Sequence, residues 1–203
     1  LIFILFIIYI MKVSEIVSEI VSFTNDCAGA QFLRNINIRK EAYPFDWNII
    51  SIDNILKNLW HKFQYFLLWD KIHFSKIKFH NRYEQPSSNG WMNKTMWMYD
   101  AWCHKYNTQF PHDFIENTQA HFLNVKKKYA RRINRLLTLL HSNKVVAFIV
   151  KEKDIKYKKI KIVYHFNTLY PNLKYKIISY EKIKHMDIKQ FKSYINRAPI
   201  DGS

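Results

Sequence analysis

In KVVAFIV (144–150) the six residues after Lys144 form an unbroken apolar run of strand length. A strand with one wet face alternates apolar and polar residues, whereas one covered on both faces does not. The run therefore predicts a strand in the middle layer of an α/β domain. A helical pattern follows over about 157–169, with Ile160, Val163 and Phe166 on its buried face, and it stops at Pro171-Asn172. LKYKIISY (173–180) then supplies another strand. Strand, helix and strand at this spacing make a right-handed crossover. The fold class is α/β: a mixed or mostly parallel sheet flanked by helices, with a C-terminal βαβ unit.

Upstream, IVSF (20–23) reads as a strand and residues 27–35 as a helix carrying Ala30 and Leu33. Pro44 holds Tyr43 out of helical geometry, and Ser51 suits an N-cap. Beyond it an apolar stripe runs through Ile52, Ile55, Leu56, Leu59, Trp60, Phe63, Phe66 and Leu67 at helical spacing. KIHFSKIKF (71–79) and TMWMYDAW (95–102) read as strands, EQPSSNG (84–90) as a turn and QFPHDF (109–114) as a loop. A long helix is expected over about 117–141, with Phe122, Val125, Tyr129, Ile133, Leu136, Leu137 and Leu140 on one face. Residues 151–159 read as a lysine-rich linker.

At 203 residues and 48% hydrophobic, the chain has the material for one domain with a core, and residues 11–203 are read as that domain. Residues 1–10, LIFILFIIYI, are wholly apolar but fall short of the roughly 20 residues a spanning helix needs. They are set aside as an apolar leader or translated flank, and no stable membrane span is expected.

Charge is unevenly distributed. Residues 1–100 hold 11 basic and 9 acidic side chains, net +2, while residues 101–203 hold 21 and 7, net +14. A basic half points to nucleic acid or an anionic membrane. An AT-rich genome, which favours Lys, Asn, Ile, Tyr and Phe over Gly, gives the same bias with no partner.

Cys27 and Cys103 make no disulfide framework and no CxxC pair, as expected for a reducing, cytoplasmic setting. Three glycines cannot build a phosphate cradle, and GxGxxG, P-loop and GxSxG patterns are absent. No close-spaced ligand pair matches a structural metal site. No metal or cofactor is expected.

The chemistry rests on VSFTNDCAGAQFLRN (21–35), where a strand ends in Asn25, Asp26 and Cys27 and a helix begins on small residues. Unpaired N–H groups at a helix start favour thiolate over thiol, which predicts a depressed Cys27 pKa and an oxyanion site at the Cys27 and Ala28 N–H groups. The alternative is a small buried apolar residue. His112, between aromatics, suits the general base. Asp113 follows it directly, but successive side chains of an extended chain face opposite ways. Asp46, flanked by Phe45 and Trp47, is the better orienting carboxylate, or else the group that holds the Pro44 turn.

VSFTNDCAGAQFLRNINIRKEAYPFDWNIIS, FPHDF and KKKYARRINRLLTLLHSNKVVAFIV together resemble the family described as papain-like cysteine peptidases. The resemblance covers about residues 20–150. It rests on Cys27, Leu33-Arg34, Pro44-Phe45-Asp46-Trp47, His112 and the Arg131-Arg132…Arg135 helix leading to Phe148. It implies thiol hydrolase chemistry, peptidase-like or acyl-transferring, on a peptide or other acyl substrate. Cys27, His112 and Asp46 are then catalytic, with Asn25, Arg34, Trp47, Asp113, Arg131, Arg132 and Arg135 lining the site. Phe23-Thr24 stands where the family pattern runs Leu-Gly, so a less tight turn precedes the cysteine. The competing reading is a non-catalytic α/β domain that binds an anionic partner through its basic C-terminal half.

Overall fold

A computed structural model describes residues 17–79 and 96–202. The apolar leader and the turn expected at 84–90 lie outside the described residues. Every residue of β5 (Val145–Val150) is buried, as its unbroken apolar sequence requires of a central strand. It pairs in parallel with β1 (Glu19–Phe23) on one side and β6 (Lys174–Ser179) on the other, giving the order β1-β5-β6. Ala147 and Ile149 point to one face, where Phe32 and Leu33 of α1 (Ala28–Asn35) meet Phe191 and Ile195 of α6 (Ile188–Arg197). Val146, Phe148 and Val150 point to the other, where Phe148 lies between Phe23, 5.0 Å away, and Phe166, 4.6 Å away. Phe166 belongs to α4 (Glu152–Leu169), the crossover helix between β5 and β6.

Three further strands, β2 (Ile72–Phe79), β3 (Met96–Cys103) and β4 (Thr108–Phe114), form an antiparallel sheet in that order. Phe66 joins it to the rest, packing against Phe45, Phe110 and Tyr129. Tyr129 comes from α3 (Gln119–Leu140), capped by Thr118. A short α5 (Tyr180–Ile183) follows β6.

Several segments depart from the sequence reading. Residues 109–114 are strand rather than loop. β4 is an edge strand, and the register shifts between Tyr99 and Ala101, so Pro111 falls in a bulge that needs no ladder N–H. The stripe from Ile52 is not one helix: α2 spans Ile52–Trp60. Lys62 and Phe63 take positive φ, 48° and 61°, and this turn carries Phe63 and Phe66 into the core while Trp60 stays half exposed. The expected linker 151–159 belongs to α4. Its rotation differs too: Phe166 is buried and Val163 partly so, but Ile160 is 87% exposed and Ile162 takes the inner position. Ion pairs fix that rotation. Lys158 and Lys161 reach Asp53 of α2 at 2.8 and 2.5 Å, and Lys159 reaches Asp201 at 2.6 Å.

Candidate active site

Cys27 occupies the N-cap position of α1, just beyond the carboxyl end of β1. The preceding turn is tied down by side chains. Asn25 takes φ 59°, a region Asn tolerates. The Thr24 hydroxyl donates to the Asp26 carbonyl at 3.0 Å and accepts from the Gly29 N–H at 3.1 Å. Gly29 is required here, because a Cβ would meet the Ser22 hydroxyl and come within 2.6 Å of the Thr24 methyl. Thr24 thus anchors the junction through its hydroxyl, where the resemblance led to an expectation of a looser turn.

The Asp26 carboxylate accepts from the Ala28 N–H at 3.0 Å. That donor is therefore engaged in the resting structure, and of the two expected oxyanion donors the Cys27 N–H is the one left to consider. It favours the thiolate of its own side chain, and so does the Lys151 charge. Burial and the Asp26 charge act in the opposite direction and prevail, so the Cys27 thiol is pushed up. This corrects the expectation of a helix-start thiolate: desolvation of a half-buried sulfur beside a carboxylate outweighs the helix terminus. Lys151 follows β5 and lies 3.1 Å from the Asp26 carboxylate and 4.5 Å from the Tyr180 ring, which follows β6. Three strand ends therefore meet at the thiol, and sequence reasoning missed Lys151 and Tyr180. The signal was available, since each is the first residue after a parallel strand.

The other expected residues gather around the Pro44 turn and α3. Asp46 is buried; its carboxylate accepts from Arg39 at 2.6 Å and from the Tyr43 N–H at 2.8 Å, so it holds the turn. Burial raises its pKa, offset by Arg39, the Tyr43 N–H and Arg132. Arg39 lies 5.3 Å from the Trp47 ring and is a second residue the sequence did not single out. Asn48 donates to the Pro44 carbonyl, and the Tyr129 hydroxyl, with one proton to give, lies 2.6 Å from the Asn48 side-chain oxygen and 2.5 Å from the Asp113 carboxylate. Lys128 pairs with the second Asp113 oxygen. Arg135 binds Glu41 at 2.9 Å and the Ala42 carbonyl at 2.8 Å. Arg132 lies over Tyr129, while Arg34 and Arg131 are exposed.

His112 stands on β4 with its neighbour Asp113 turned inward to α3, as alternation along a strand requires. His112 is exposed to solvent, and desolvation by its neighbours draws its pKa down from the ordinary imidazole value against the opposing pull of Asp113 and Asp100. Neither group is among those acting on the other: the charges on His112 come from the antiparallel sheet and those on Cys27 from the ends of the parallel one. The resting structure does not bring the expected pair together. A cavity of about 490 Å³, lined by Ser18, Arg39 and Phe191, opens at the amino end of β1, away from the thiol. Among the described residues there is no cluster of three metal-ligating side chains, and no helix is long and apolar enough to cross a membrane.

The molecule is a mixed α/β protein with a cysteine at the strand-to-helix junction of its parallel sheet, close to a lysine. The chain belongs to the family described as "putative papain-like cysteine peptidase", whose model matches residues 18–183. It is similar to an uncharacterized protein of Acanthamoeba polyphaga mimivirus, with 29% identity over 143 residues. The match covers 65% of this chain and 60% of the viral protein, so the chain spans less than two thirds of that relative's length. No solved structure matches.

Proposed function

We propose that the protein is a cysteine-dependent hydrolase of acyl substrates, peptides or esters, with Cys27 as nucleophile and His112 as general base and acid. The observation that carries this reading is the half-buried Cys27 at the carboxyl end of β1, in a chain of a family described as cysteine peptidases. Because the thiol is protonated at rest, activation is by proton removal as the substrate is attacked. The Cys27 sulfur bonds to the acyl carbon while its proton passes to the His112 imidazole, a step that requires the ring to close on the sulfur in the substrate complex. The imidazolium then protonates the departing amine or alcohol. Water, deprotonated by the same ring, cleaves the thioester and restores the thiol. Lys151 offsets negative charge near the sulfur. In this proposal Asp46 is a positioning residue: with Arg39 it fixes the turn from which Asn48 reaches Tyr129, and through it Asp113 next to His112.

The test is hydrolysis of activated esters and a peptide mixture by the full chain, with Cys27→Ala and His112→Ala beside it. Cys27→Ala is expected to lower turnover by about a thousandfold or more, and His112→Ala by about a hundredfold or more, with loss of the pH dependence near the imidazole pKa. Turnover that survives Cys27→Ala rules out the nucleophile, and an unchanged pH profile in His112→Ala rules out the base.

A further inference from the structure

α4 has two faces. The inner one carries Ile162 and Phe166. On the outer one Tyr157, Ile160 and Tyr164 recur at helical spacing, 75%, 87% and 61% exposed. At 100° per residue they fall within one narrow stripe, with Lys153 on the same line, Lys156 on one edge and Lys161 on the other. Exposed apolar side chains are ordinarily scattered singly; here three large ones share one face of one helix. Three neighbouring carboxylates are engaged, Asp53 by Lys158 and Lys161, Asp154 by Lys158 and Asp201 by Lys159, while Glu152 stands exposed in the first turn, outside the stripe. Among the described residues Lys153 and Lys156 have no carboxylate partner, and Lys156 rests 5.2 Å from the Tyr157 ring.

We infer that this face of α4 docks on an anionic lipid bilayer, with Ile160 at the centre of the contact, Tyr157 and Tyr164 at headgroup depth, and the flanking lysines on lipid phosphates and carboxylates. A polar face of lysines around an apolar centre is the pattern of a helix lying in the interface plane. Tyrosine suits headgroup depth by its ring and hydroxyl, and lysine stems run along apolar surface while the ammonium stays wet. Charge complementarity selects this occupant. A second copy would bring Lys153 and Lys156 against themselves in a chain of net charge +16. A nucleic acid would set phosphates against Ile160. The inference is independent of the chemistry at Cys27.

The experiment is co-sedimentation of the full chain with phosphatidylcholine vesicles, with and without phosphatidylserine, across a salt series. Binding to the anionic vesicles is expected, weakening as salt rises. The triple variant Tyr157→Ser, Ile160→Ser, Tyr164→Ser keeps the net charge and leaves residues 1–16 unaltered, and is expected to bind at least tenfold more weakly. Lys153→Gln with Lys156→Gln is expected to lose about fivefold per lysine. Thermal unfolding of both variants should match the parent, since every altered side chain is exposed. Equal binding by the triple variant, equal binding to neutral and anionic vesicles, or a dimer that the triple variant dissolves would each overturn the inference. So would tighter retention on single-stranded DNA that the triple variant preserves.

Discussion

At the residue scale, Cys27 sits between two charges of opposite sign. Burial, and after it the Asp26 charge, hold the proton on the sulfur and Lys151 favours its loss, while the two side chains pair with each other at 3.1 Å. Removing either therefore shifts the thiol in a known direction. Asp26→Asn is expected to lower its pKa and speed alkylation by iodoacetamide near pH 7 several-fold, and Lys151→Met to slow it. Iodoacetamide rates across pH 6–10 check both, and equal profiles for the two variants would refute this account. The sequence carried part of this picture. The strand-Cys-helix junction was legible in FTNDCAGA, and Gly29 is there because α1 begins hard against Ser22 and Thr24. The sign of the pKa shift was not legible, because it depends on how deeply the sulfur is buried, which tertiary packing decides.

At the element scale, α4 shows what periodicity can and cannot give. Its aliphatic and phenyl side chains lie at Ile155, Ile160, Ile162, Val163, Phe166 and Leu169, with Tyr157 and Tyr164 beside them, which suits more than one rotation about the axis. The burial of Phe166 was legible, but the exposure of Ile160 was not, because the choice falls to pairs from elsewhere in the chain. Asp53, on α2, fixes it with Lys158 and Lys161, and these ammonium groups hold its carboxyl at about 2. A carboxyl lowered on folding stabilises above its unfolded pKa and loses that contribution as pH falls through its folded one. Asp53→Asn is thus expected to cost about 1 kcal/mol near neutral pH, after allowance for solvent screening, and the deficit should vanish as pH falls from about 4 to about 2. Paired thermal melts across that range measure it; a deficit independent of pH would mean that the pairs do not carry the contact. β4 gives the opposite lesson: QFPHDF reads as a loop, yet the segment is an edge strand, and its Pro111 falls in a bulge that requires no donor there.

At the scale of the whole molecule, stability concentrates where the two faces of β5 meet their helices. Phe148 is fully buried against Phe23, Phe166 and Tyr175. Phe148→Ala should cost about 3–5 kcal/mol, measured by denaturant unfolding, whereas a loss under about 1 kcal/mol would mean that the layer closes the gap by repacking. The parallel layer was legible because βαβ units announce themselves locally in apolar runs and helix periods. The place of β1 at its edge was not, since its partner begins at Val145. That separation has a consequence for synthesis. Until Val145–Val150 has left the ribosome, β1 lacks the strand it pairs with and Cys27 lacks Lys151. Between the emergence of β1 and that of β5 the nascent chain therefore carries an unshielded sulfhydryl and an uncovered apolar ribbon, the kind of surface that chaperones hold.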